Sequence, residues 1–117
     1  MAKKNRAVAR DAALVVLRDE GAPLAIGPRL RALREAAELT LSELADLIGA
    51  SGPGLFGWEI GRNPPSGAYP AKLEAWSTQV VGALELPPQR VLRAAEWLSV
   101  EDRDAVERLA SPPPEAA

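Results

Sequence analysis

Apolar positions recur along this chain at helical intervals, broken by short runs of Gly, Pro and Asn. From Asn5 to about Asp19, Val8, Ala12, Val15 and Val16 fall among charged residues at a spacing that suits one helical face, and Gly21 and Pro23 end the segment. Ile26, Leu30, Leu33 and Ala37 then stand at i, i+4, i+7 and i+11, which predicts a second amphipathic helix. Thr40 can cap a third, with Glu43 three residues later to complete a capping box, and Leu41, Leu44, Ala45 and Ile48 form its apolar stripe. Gly49 stops that helix, because glycine enters the left-handed conformation at little cost. Ser51 caps a fourth, short helix with Pro53 in its first turn, where a missing N–H does no harm. It runs to about Ile60 and ends at Gly61, and Asn63 to Gly67 reads as a loop.

Leu73, Trp76, Val80 and Leu84 resume the helical period. Beyond Pro87 and Pro88, one helix is expected to carry Val91, Leu92, Ala95 and Leu98, and a last one opens with a capping box of Ser99 and Asp102 and continues through Val106 and Leu109. Residues 111–117, with three consecutive prolines, read as a disordered tail. The expected fold class is therefore all-α, a bundle of short helices. Its expected parts are a basic helix or arm at 1–23, a central domain at 24–86, a helical pair at 87–110 and the tail.

Composition narrows what such a bundle can do. At 117 residues the chain is one domain's worth, and an aromatic fraction of only 4% leaves Ala, Leu and Val to build most of the core. The absence of Cys and His removes thiol nucleophiles, disulfides, an imidazole base and the usual zinc ligands. The carboxylates sit beside Arg on charged helical faces and read as solvated surface, so no enzyme, catalytic residue, metal or cofactor is expected. No apolar run approaches the ~20 residues needed to cross a bilayer, and no signal-peptide core follows Lys3 and Lys4, which predicts a cytoplasmic protein. The net charge of −2 hides an asymmetry: residues 1–35 hold eight cations against four acids, and the rest of the chain is acidic.

The fourth helix and the one before it carry the functional signal. Two short helices joined at a glycine-containing corner can cross at about 90–120°, with Ala45 small enough for close approach and Leu55 directed back to the core, so that the second can enter a DNA major groove. The runs Ile26-Gly27-Pro28-Arg29-Leu30-Arg31-Ala32-Leu33-Arg34, Leu39 to Ala45, Ile48 to Ser51, Leu55 and Trp58 to Arg62, closed by Pro65, resemble the helix-turn-helix domains of the lambda repressor, Cro and xenobiotic-response-element regulators. That resemblance covers about half the chain. It implies a lambda repressor-like bundle with extra N- and C-terminal helices that binds operator DNA as a dimer and controls transcription. It also implies an ion pair between Arg34 and Glu59.

The departures from the family pattern matter as much. Leu41 stands where the family commonly has a phosphate-anchoring Gln, and the usual base-reading positions hold Gly52, Pro53, Phe56 and Gly57. None of these four can make the bidentate hydrogen bonds that tell base pairs apart, and the hydroxyl of Ser51 is expected to be occupied as a cap. Besides a purely structural module of a larger assembly, two readings of function stay open. In one, small residues let the helix backbone lie close to DNA while Phe56 meets a thymine methyl or wedges against a base step. Arg62, Asn63, Lys72 and the N–H groups at the helix start would then hold phosphates, and Lys3, Lys4 and Arg6 would form a basic arm. In the other, Gly54, Leu55, Phe56, Gly57 and Trp58 present an apolar surface to a repressor, a polymerase subunit or a toxin. Trp58, Trp76 and Trp97 are expected in the core, Phe56 at the surface, and Tyr69 either on a phosphate or as a lid on the core. Val91, Leu98, Val106 and Leu109 are expected either to form a homodimer interface or to fold back on their own core.

Overall fold

The computed structural model describes the backbone of residues 2–97 and the side chains of residues 5–97. Five α-helices follow one another: α1 (Ala2–Arg18), α2 (Ile26–Ala36), α3 (Leu41–Ile48), α4 (Gly52–Glu59) and α5 (Tyr69–Ala83), then 3-10 turns at Pro88–Arg90 and Ala94–Trp97. No strand occurs among the described residues, and the fold is an all-α helix-turn-helix bundle. The helix expected from Ser99 and the tail at 111–117 lie outside the described residues.

Leucines build the centre, as the scarcity of aromatics requires. Leu17 of α1, Leu30 and Leu33 of α2, Leu44 of α3, Leu55 of α4, Leu73 of α5 and Leu92 all have essentially no exposed side chain. Each such burial stabilises by about 1.5–3 kcal/mol relative to exposure. Trp58 and Trp97 are buried with them, while Trp76 only packs half-buried against the edge of this core.

Two expectations for the flanking segments are corrected. The first concerns α1, which turns the face carrying Val8, Val15 and Val16 to solvent, with Val15 72% exposed, and buries Ala13 and Leu17 instead. Its sequence holds two apolar stripes, and charged neighbours select between them. Arg6, Arg10, Ala13 and Leu17 share one face at helical spacing. On that face Arg6 pairs with Glu43 of α3 at 3.3 Å and Arg10 with Glu38, just past α2, at 3.6 Å.

The second concerns residues 88–97, which do not form an α-helix carrying Val91, Leu92 and Ala95; Val91 itself is extended. Backbone groups that a helix would use internally are drawn to other elements. The Leu92 amide donates to Ser77 Oγ (2.8 Å), the Ala94 amide to Glu74 Oε1 (2.7 Å), and the Val91 carbonyl accepts from Arg29 (3.2 Å). Tertiary partners outweigh local helical preference here. Val91, Leu92 and Trp97 consequently belong to the same core as the helices before them.

Candidate nucleic-acid interface

The corner between α3 and α4 is built from local chemistry. At the start of α3 the Glu43 amide donates to Thr40 Oγ1 (3.1 Å) and the Thr40 amide to Glu43 Oε1 (2.8 Å), a complete capping box. The Thr40 amide, before all else, holds the Glu43 carboxyl below its ordinary value against an opposing effect of desolvation, and the charge of Arg6 adds to the lowering. Gly49 closes α3 at φ 76°, where a side chain would be strained, and the Ala50 amide donates back to the Ala45 carbonyl (2.8 Å). Ser51 Oγ then accepts from the Gly54 amide at 3.0 Å. A Cβ on Gly54 would stand 2.9 Å from that oxygen, so the cap and the glycine fit together.

α5 holds the corner from a third side. Tyr69 donates its hydroxyl to the Gly49 carbonyl (3.0 Å), and Lys72 Nζ donates to the Ile48 carbonyl (3.3 Å) while lying over the Tyr69 ring. The Tyr69 ring in turn rests against Trp58 of α4, with centroids 5.1 Å apart. Of the two roles expected for Tyr69, its hydroxyl is therefore committed to the protein's own backbone. Lys72 is partly committed, with further N–H donors left over.

Beneath the corner, α2 fixes the far end of α4. Arg34 makes a bidentate pair with Glu59 (2.7 and 3.1 Å) and donates to the Leu39 carbonyl (2.9 Å), with both charged side chains largely buried. Two turns earlier on α2, Gly27 faces the backbone of Trp58 and Glu59 so closely that a Cβ would lie 2.7 Å from the Glu59 carbonyl oxygen. Leu55, Trp58 and Glu59 point inward.

What α4 turns outward is apolar. Pro53 is exposed, Phe56 is 44% exposed and Ile60, just past the helix, is 50% exposed. Gly52 and Gly54 are half-buried. Gly57 is buried, yet a Cβ there would meet no atom within 4 Å, so its Cα borders open space beside Phe56. Ile60 escaped the sequence reading as a candidate, although its place four residues after Phe56 puts it on the same face. Pro53 has no N–H and the Gly54 amide is taken by Ser51, so within the first turn the Gly52 amide is left for an outside acceptor.

The cations expected around this face are distributed unequally. Arg62 and Asn63 stand exposed in the bend after α4, and among the described residues the Arg62 guanidinium has no ion pair. Arg6, expected in a basic arm, is instead paired with Glu43. Lys3 and Lys4 lie on the first turn of α1, and their side chains are outside the described residues. Exposed Asp46 and Glu43 on α3 keep the surroundings of mixed sign. Among the described residues no cluster of His, Cys, Asp or Glu could hold a metal, and no helix is long and apolar enough to cross a membrane.

A family model described as a helix-turn-helix domain matches residues 25–110, well over half of the chain. Among curated proteins none matches, and among solved structures none matches.

Proposed function

The chain belongs to the helix-turn-helix domain family, and from that premise we propose that it is a transcriptional regulator, repressor- or Cro-like and of phage or bacterial kind, that contacts double-stranded DNA through α4. The observation that carries this reading is the outward face of α4, which nothing among the described residues covers although both ends of the helix are fastened. Small residues at 52, 54 and 57 allow its backbone to approach a groove floor. Arg62, Asn63, the Gly52 amide and the remaining donors of Lys72 would meet phosphates. Lys3 and Lys4 would add affinity at the end of α1, with Arg6 steadying that helix on α3. In this reading residues 24–86 make the DNA contact, 1–23 serve as the arm and 87–110 carry a homodimer interface. Val91 is occupied in the chain's own core, so such an interface would rest on Leu98, Val106 and Leu109. The working place of such a protein is the cytoplasm and its nucleoid, and its chemistry is binding, with no cofactor.

A second reading has its own observation: Pro53, Phe56 and Ile60 offer no polar side chain at all, which also suits a protein partner such as another regulator. Titration of the protein into labelled random-sequence duplex at two salt concentrations separates the two. A dimer neutralising about six phosphates loses roughly a thousandfold in affinity between 50 and 200 mM salt. Absence of binding at low salt would remove the DNA reading and leave the protein partner.

A further inference from the structure

The outward face of α4 excludes the usual way of reading bases and favours another. A base pair's major-groove edge offers hydrogen-bond acceptors, donors and one apolar group, the C5-methyl of thymine. Pro53, Phe56 and Ile60 carry no side-chain donor or acceptor, and the Ser51 oxygen at the start of the helix accepts from Gly54, which leaves a single O–H to donate beside them. Pressed onto an edge rich in donors and acceptors, this face would strip water from polar groups and return no hydrogen bond, which is unfavourable. Pressed onto a methyl group, it buries apolar surface on both partners.

We infer that α4 selects DNA by the pyrimidine C5-methyl group, through Phe56 and Ile60, rather than by hydrogen bonds to base edges. The inference rests on the DNA-binding reading above and names what that reading would recognise. The source it favours is thymine; a 5-methylcytosine presents the same group. Phe56 and Ile60 are four residues apart, about 6 Å along a helix, which corresponds to about two base-pair steps. Two contacted methyls would therefore lie about that far apart. A Cβ at Gly57 would meet open space, so no other element crowds α4 at that position.

The test uses the full chain and three random-sequence duplex libraries: one with thymidine, one with deoxyuridine in its place, and one with deoxyuridine plus 5-methyldeoxycytidine. Species enriched from the thymidine library are then remade with each substitution and titrated. Binding is expected to weaken about fourfold for each contacted methyl removed, the value of burying one such carbon. Recovery in the third library supports the same chemistry with methylated cytosine as its source. Phe56→Ala should bind thymidine and deoxyuridine duplexes nearly alike, and Phe56→Leu should keep much of the difference, with circular dichroism confirming that both variants fold. Equal affinity of the unaltered protein for thymidine and deoxyuridine duplexes would overturn the inference while leaving DNA binding intact. No binding to any library would overturn the DNA reading itself, and with it the inference.

Discussion

Arg90 is 3% exposed, and among the described residues its guanidinium finds no carboxylate. It donates instead to the carbonyls of Leu17 (2.9 Å), Ala22 (3.0 Å), Val16 (3.5 Å) and Asp19. The Val16 and Leu17 carbonyls belong to the last turn and negative dipole end of α1, those of Asp19 and Ala22 to the turn that follows, and a planar fork of donors suits such a set better than a single ammonium would. Arg90→Leu is expected to cost about 2–4 kcal/mol in urea unfolding, with Arg90→Lys recovering only part. Gly57 predicts the opposite sign: its backbone is helical and a Cβ would meet open space, so Gly57→Ala should stabilise by about 0.5–1 kcal/mol and raise the thermal midpoint. Residues like Arg90 escape sequence reading, and local caps do not. Thr40, Glu43, Gly49 and Ser51 were legible because a cap and its partner lie within three residues. Arg90 was not, because its partners lie about seventy residues away in the chain.

At the scale of elements, α4 is a helix that its own sequence does little to support. Three of its eight residues are glycine and one is proline, so intrinsic propensity opposes it by roughly 1 kcal/mol per glycine. Contacts from α2 and α3 supply what is missing. Gly27→Ala should therefore force α2 and α4 apart and cost about 1–3 kcal/mol, measured by chemical denaturation. The same arithmetic of faces applies to α1. Val15→Ser should leave stability within about 0.5 kcal/mol, whereas Leu17→Ala should lose about 2–5 kcal/mol. A comparable loss in both variants would show that the outward valines are covered. Periodicity in the sequence located α1 correctly but could not rank two apolar stripes, because the choice is made by Arg6 and Arg10 reaching acids on other elements. Residues 88–97 misled for a related reason, since the donors and acceptors that unwind them come from α2 and α5.

Over the whole molecule, ionic contacts join the outer helix to the body, and at Glu43 one of them adds to the Thr40 cap, the larger cause of a response to pH. Because Glu43 titrates below its ordinary value when folded, its contribution is complete above that ordinary value and is lost as pH falls through the folded one. Unfolding free energies of the unaltered protein and of Glu43→Gln should thus differ at neutral pH and converge in acid. The all-α architecture and the placing of the helix-turn-helix were legible at this scale, because spacing survives where individual partners are invisible. The unequal commitment of the cations was not, since Arg6 is turned from solvent by a residue on another helix.

The grip of Tyr69 and Lys72 on the carbonyls of Ile48 and Gly49 has a consequence for motion. A corner held by two side chains from outside cannot swing as a hinge without releasing them, so its hydrogen-bonded amides, those of Ala50 and Leu55, should exchange with deuterium slowly. Whatever meets α4 would then find a surface already in its final shape, and association would proceed without an ordering step.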